Sequence, residues 1–295
     1  MRRLQASDFD QRVLDLFDGY VHGQLSKREF LERAALFTAA GVSAAAVLDS
    51  LQPNYALATQ VAPDDPAIET SWITYESPAG YGPTDALMAR PAGANGKLPA
   101  VLVVHENRGL NPYIRDVVRR CAKAGYLALG PDGLTSIGGY PGDDDEGRRM
   151  QSRLDRDKLL NDFLAAFDHL ESHPDCSGKV GAVGFCFGGA VCNALAVEKP
   201  TLAASVPFYG RQAAAEDVPR IKAPLMLHYA GLDERINKGW PAYQEALMQH
   251  DKAFSVHFYP GANHGFHNDT TPRYAEEAAE LAWNRTLAFF RTYLH

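Results

Sequence analysis

The stretch Gly184-Phe185-Cys186-Phe187-Gly188-Gly189 decides the reading of this chain. It follows the apolar run Val180-Gly181-Ala182-Val183, which reads as a short buried strand, and leads into Ala190-Val191-Cys192-Asn193-Ala194-Leu195, which reads as a helix. Strand, sharp turn and helix, with small residues two before and two after a central nucleophile, make the G-x-S-x-G elbow with cysteine in place of serine. Side chains at Gly184 or Gly188 would collide with the neighbouring strand or helix, hence the glycines. The turn lifts Cys186 over the C-terminal edge of a sheet at a helix N-terminus, where backbone N–H groups and the dipole favour a thiolate. The plainer alternative is that Cys186 is a small buried apolar residue in a Gly-rich turn.

A chain of 295 residues, 46% of them apolar, accommodates one large α/β domain plus an appendage. The net charge of −7 argues against nucleic acid or an acidic membrane as partner. No apolar run reaches the roughly 18 residues needed to span a bilayer. The cysteines Cys121, Cys176, Cys186 and Cys192 form neither a C-x-x-C pair nor a zinc spacing, so all four read as free thiols suited to a reducing, cytoplasmic setting. Assembly into a homodimer is compatible with the sequence.

Residues 1–68 read as an N-terminal arm with a linker. Val13, Leu14, Phe17 and Val21 recur at helical spacing with acids on the other side, and a second helix is expected from Ser26 through Ala39 and Ala40 towards Leu48. Ser26-Lys27-Arg28-Glu29-Phe30-Leu31 admits two readings. It resembles a twin-arginine export motif with lysine in the first basic place, followed by Ala56-Leu57-Ala58 as an A-x-A site, which would imply the periplasm. Alternatively, Ser26-x-x-Glu29 is a capping box that starts an ordinary helix in a retained arm.

From residue 69 the pattern is that of an α/β domain. Ser71–Glu76 and Thr84–Arg90 flank turn chemistry at Gly80–Pro83, and Ala100–Val104 is a β-branched run typical of a strand buried on both faces. Strands at 127–129, around 180, at 203–208, 224–229 and 254–259 then alternate with helices at 114–124 and 148–170 and a final helix bearing Ala279, Trp283, Leu287, Phe290 and Leu294. This predicts a mostly parallel, doubly wound sheet with helices on both faces and an antiparallel opening hairpin. The site is then expected beyond the C-terminal strand ends.

Two such ends carry the partners a nucleophilic cysteine requires. Asp233 follows one strand in Gly231-Leu232-Asp233, and His264 follows the next in Asn263-His264-Gly265-Phe266. Nucleophile, acid and histidine in that chain order match the elbow architecture. After Val104 comes His105-Glu106-Asn107-Arg108, where this architecture takes one oxyanion-hole N–H; the backbones of Asn107 and Phe187 are the expected donors. Glu106 beside the elbow could accept the thiol proton, or simply bond the loop backbone.

These residues, with Gly130-Pro131-Asp132 and Tyr209-Gly210, resemble the dienelactone hydrolases (carboxymethylenebutenolidases), cysteine members of the α/β-hydrolase fold, over residues 70–295. The resemblance implies Cys186 as nucleophile, His264 as base, Asp233 as its orienting acid and Glu106 as the carboxylate that activates the thiol when substrate binds. It implies no metal and no cofactor. The family holds its substrate carboxylate with two arginines; the corresponding places fall near Ser136 and Asn268, neither basic. Arg108, Arg211 and Arg273 are alternative cations, and a more neutral ester or lactone is expected. Phe187, Tyr209, Trp240 and Phe266 are candidates for an aromatic pocket wall. The expected activity is hydrolysis of a small carboxylic ester or lactone through an acyl-enzyme, with acyl transfer or a thiol-based redox or electrophile sensor as rivals on the same scaffold.

Overall fold

The computed structural model describes residues 3–38 and 41–295. In the arm, α1 (Gln11–Val21), α2 (Lys27–Ala34) and α3 (Ala44–Ser50) enclose their own apolar cluster around Phe17, Tyr20, Phe30 and Leu48. The Ser26–Glu29 capping box is present, each side chain bonding the other's backbone N–H. One continuous helix to Leu48 is not found. α2 ends at Ala34, and Ser43 starts α3 afresh by accepting from the Ala46 N–H. Ala39 and Ala40 lie outside the described residues.

The opening hairpin is β1 (Ile68–Tyr75) paired antiparallel with β2 (Thr84–Pro91). β3 (Leu98–Val104), β4 (Leu127–Pro131), β5 (Cys176–Phe185), β6 (Ala204–Phe208), β7 (Leu225–Ala230) and β8 (Phe254–Tyr259) complete the sheet. Among the described residues there is one sheet of order β1-β2-β4-β3-β5-β6-β7-β8, parallel from β4 to β8. β3 and β4 run apolar without alternation because helices cover both sheet faces.

On one face lie α6 (Arg156–Ser172), α7 (Phe187–Glu198) and α9 (Trp240–Gln249); on the other lie α4 (Pro112–Lys123) and α10 (Glu276–Leu294). The helix expected over 148–170 is two helices. Asp155 accepts from the N–H groups of Asp157 and Lys158 and so caps α6, separating it from α5 (Asp144–Gln151). The short α8 (Glu234–Asn237) and the longer α9 follow β7, where no helix is expected from the sequence. No helix among the described residues is long and apolar enough to cross a membrane.

Candidate active site

β5 runs into α7 through Cys186, whose backbone sits at φ 55°, ψ −110°. That left-handed φ is costly for a residue with a Cβ and is held by the packing around it. A Cβ on Gly184 would lie 2.2 Å from the Gly188 carbonyl oxygen, and one on Gly188 would lie 2.3 Å from that of Val104. The glycines therefore let strand and helix cross at backbone contact, which is the collision the sequence predicts. The Cys186 N–H is itself bound to the Phe208 carbonyl (3.0 Å), fixing the turn to β6.

Asp233 and His264 meet beyond the ends of β7 and β8. Asp233 divides its two oxygens: Oδ1 caps α8 at the Ile236 N–H (3.2 Å), and Oδ2 lies 2.5 Å from His264 Nδ1. Both side chains are buried. Burial opposes the charge on Asp233, but His264 outweighs it and holds the carboxyl below its usual range. With Nδ1 committed to Asp233, His264 presents Nε2 as its free nitrogen; that atom is buried and has no hydrogen-bond partner among the described residues. The Tyr209 ring packs against His264, centroids 4.9 Å apart, on a backbone also strained to positive φ (37°).

The group bonded to the thiol is one that sequence reasoning misses. His22, just past α1, places Nε2 3.2 Å from Cys186 Sγ. Its Nδ1 lies 2.7 Å from the Asp18 carbonyl and 3.2 Å from the Asp18 carboxylate, both acceptors, so Nδ1 carries a proton. Asp18 is in turn 3.0 Å from Arg235 Nε and 3.5 Å from Arg273. Arg235 Nη2 lies 3.2 Å from a ring nitrogen of each histidine. Burial lowers the affinity of His22 for its proton, but Cys186 and Asp18 more than offset this and raise its pKa above the ordinary histidine value.

Part of the polar face of α1 thus meets the site rather than solvent. Gln11, Asp18 and His22 recur at helical spacing and bond Asn263, Arg235 and Cys186 respectively, while Val21 accepts from the Asn107 side chain (2.8 Å). A sequence signal existed: Asp18 and His22 are an i,i+4 pair on one helix face. Nothing local tied that pair to a cysteine 164 positions away.

Glu106 is buried beside the elbow, and its Oε2 accepts from the Asn268 amide (2.9 Å). An amide therefore grips Glu106 where the family resemblance puts a cation, and the thiol's bonded partner is His22. Asn107 and Phe187 both border a cavity of about 490 Å³ that His22 also lines. Leu159, Leu160 and Val191 form its apolar side, and Arg148, Arg156 and Arg211 its cationic rim. A second cavity of about 460 Å³ lies between α1 and the Asp233 and His264 loops.

Three expected wall or substrate residues are placed otherwise. Arg108 is buried in an ion pair with Asp144 (2.8 Å), and turning it to a substrate would strand a buried charge. Trp240 packs with Tyr229, Tyr243, Phe254 and Phe258 in the core, because the indole belongs to the unexpected helix α9. Phe266 is fully buried against Tyr209 and Tyr259, supporting the wall from behind. The remaining cysteines Cys121, Cys176 and Cys192 are buried free thiols.

Among the described residues, His22, Cys186 and His264 bring their donor atoms within 4.8 Å of one another. A sulfur and two imidazoles would suit zinc, but a metal there would occupy the lone pair that a nucleophilic sulfur needs. The arrangement without a metal is a thiol bracketed by two histidines, each oriented by its own aspartate.

The family model described as the dienelactone hydrolase family matches residues 84–294, and a model described as YqhI-like matches residues 1–39. The chain is similar to the Escherichia coli (strain K12) "Putative hydrolase fragment YghX", 60% identical over 114 residues, 39% of this chain and 97% of that protein. It is also similar to the Bradyrhizobium "Probable 2-oxo-3-(5-oxofuran-2-ylidene)propanoate lactonase", 35% identical over 225 residues, 71% of this chain and 89% of the relative. A crystal structure of a "Putative Dienelactone Hydrolase" from Klebsiella pneumoniae superposes with a TM-score of 0.67 at 29% identity, covering 76% of this chain and all of the other. The family model covers well over half of the chain, and the superposition agrees with it: the chain belongs to the dienelactone hydrolase family, hydrolases of the α/β-hydrolase fold.

Proposed function

We propose that the protein hydrolyses a small carboxylic ester or lactone with Cys186 as nucleophile and a thioester acyl-enzyme as intermediate. One observation carries the reading above the others. A cysteine on a left-handed turn at a helix N-terminus stands within 4.8 Å of a donor nitrogen of His264, which Asp233 holds at 2.5 Å. Strain at one non-glycine residue, together with a buried acid–histidine pair aimed at it, is expensive to maintain without chemical use.

The Cys186 thiolate attacks the substrate carbonyl carbon, whose oxygen takes up the negative charge. The backbone N–H groups of Asn107 and Phe187 are the assigned donors to that oxyanion. Collapse breaks the C–O bond and releases the alcohol, or the ring-opened hydroxyl of a lactone, with one proton supplied by an imidazolium. Water then loses a proton to neutral His264 and attacks the thioester. Release of the acid returns the sulfur, and the imidazolium that Asp233 stabilises gives the proton back.

For the substrate, the cavity beside His22, Asn107 and Phe187 supports a compact acyl group with an apolar side against Leu159, Leu160 and Val191. Its volume of about 490 Å³ fits a small molecule rather than a polymer. The lactonase named among the relatives supports the same bond class. Glu106, held by Asn268, is assigned to fixing the oxyanion loop against the loop after β8. Turnover of p-nitrophenyl acetate by wild type, Cys186→Ala and Cys186→Ser tests the reading: activity should vanish in the alanine variant, and wild-type activity no higher than that variant's refutes it.

A further inference from the structure

We propose that Asp18 and His22, carried by the N-terminal arm, form a second acid–base pair of the active site. In this division of work His22 handles the thiol proton and the departing alcohol, and His264 handles the attacking water. The inference rests on Cys186 being the nucleophile, and it assigns a catalytic residue lying outside the residues that the dienelactone hydrolase family model matches.

The geometry favours His22 for the first half-reaction. Its Nε2 is hydrogen-bonded to Sγ at 3.2 Å, whereas His264 Nε2 has no partner among the described residues. With Nδ1 protonated and donating to Asp18, His22 Nε2 is the atom that can accept the S–H proton. The products are a thiolate and an imidazolium; when the tetrahedral intermediate collapses, the same proton passes from Nε2 to the leaving oxygen. One proton moves from sulfur to nitrogen to oxygen, and neutral His22 is restored. His264 keeps Nε2 without a hydrogen-bond partner among the described residues, the atom a general base for water must offer. The groups facing His22 are Asp18 on its own helix, Arg235 from α8, His264 from the loop after β8 and Cys186 itself, with Arg273 behind Asp18.

The arm could instead be a plug over the thiol. Two observations oppose that. Val21, His22 and Gly23 form part of the wall of the 490 Å³ cavity that Asn107 and Phe187 also line, so the arm helps to shape the space next to the assigned oxyanion donors. The arm is also tied to the loops that carry the expected machinery: Val21 to Asn107, Asp18 to Arg235 beside Asp233, and Gln11 to Asn263 beside His264 (2.6 Å). The contacts align the arm with the site at three separate points, as an added catalytic element needs and a displaceable plug does not. Removal of the chain up to Ala58, as the export reading would have it, would delete Asp18 and His22 and leave half of this machinery.

The experiment uses the full chain in EDTA-containing buffer, with His22→Gln, His264→Gln and Cys186→Ala, and resolves p-nitrophenol release from p-nitrophenyl acetate into burst and steady-state phases. His22→Gln should slow the burst roughly 100-fold or more while hydrolysis of the isolated thioester stays within about threefold of wild type. His264→Gln should retain a burst and accumulate acetylated Cys186 in the intact mass. Alkylation of Cys186 by iodoacetamide as a function of pH supplies a readout independent of turnover: the thiol titration should move to higher pH in His22→Gln. A burst within twofold of wild type overturns the inference, as does a variant faster than wild type, which would identify a plug. Absence of any Cys186 adduct in wild type refutes the cysteine hydrolase reading itself and the inference with it. An adduct that forms equally in wild type and His22→Gln refutes the inference alone.

Discussion

Replacing Asp233 by asparagine isolates the electrostatic part of the account. The carboxylate lies 2.5 Å from His264 Nδ1, and both side chains are buried. With charge centres roughly 4 Å apart and an effective dielectric near 20, the attraction between carboxylate and imidazolium is about 4 kcal/mol. That interaction exists only when His264 is protonated, as in the water-attack transition state, so its loss falls on the barrier and converts to roughly a thousandfold in rate. Asparagine keeps an acceptor oxygen for the Ile236 N–H, so the cap on α8 should survive and the fold with it. The assay is steady-state kcat for p-nitrophenyl acetate at neutral pH, accompanied by melting curves of both proteins. A folded Asp233→Asn enzyme within tenfold of wild type would show that the pair does not orient and charge the base, and the reasoning would fail.

Other consequences are as direct. Gly188→Ala puts a Cβ 2.3 Å from the Val104 carbonyl, backbone against backbone. Overpacking there should cost about 1–3 kcal/mol or more, read in urea melts, and unchanged stability would mean the elbow is not so tightly held. Native alkylation should stop at one thiol, Cys186, because burial pushes Cys121 up to about 12 and raises Cys176 and Cys192 as well; peptide mapping decides. Burial opposes the charge on Asp18, yet His264, His22 and Arg235 hold its carboxyl well below the usual range. A carboxyl depressed in the folded state adds stability above its unfolded pKa of about 3.9, lost as pH falls through the folded value. The Asp18 contribution is therefore complete above about pH 5, and below that the urea midpoint should fall less steeply in Asp18→Asn than in wild type. Trp240→Ala should cost about 3–5 kcal/mol of stability while leaving KM within twofold, since the indole fills the core.

The elbow and its partners were legible because their determinants are local. Gly184, Cys186 and Gly188 share one tight turn, and Asp233 and His264 each follow an apolar strand directly. The Ser26–Glu29 capping box was visible for the same reason. What escaped was non-local or masked by composition. Asp155 and Ser43 each begin a helix inside a stretch whose periodicity runs on past the break. Trp240 and Phe266 are large aromatics near the site in sequence, and only the path of α9 and the packing behind Tyr209 send them inward. The largest omission, His22, lies on the acid-bearing side of α1, whose spacing alone names no partner. Polar residues at helical spacing look the same whether they meet water or a buried site. The partner surface that distinguishes the two is made by Cys186, Arg235 and Asn263, far along the chain.

The central claim, that the hydrolase works through an acyl group on Cys186, is met most directly by rapid acid quench of wild type with p-nitrophenyl acetate, followed by peptide mass mapping. Acetyl on the Cys186 peptide, appearing within the burst and disappearing at the rate of turnover, is the predicted result. Burst release of p-nitrophenol with acetyl on another residue, or steady turnover undiminished in Cys186→Ala, would contradict it.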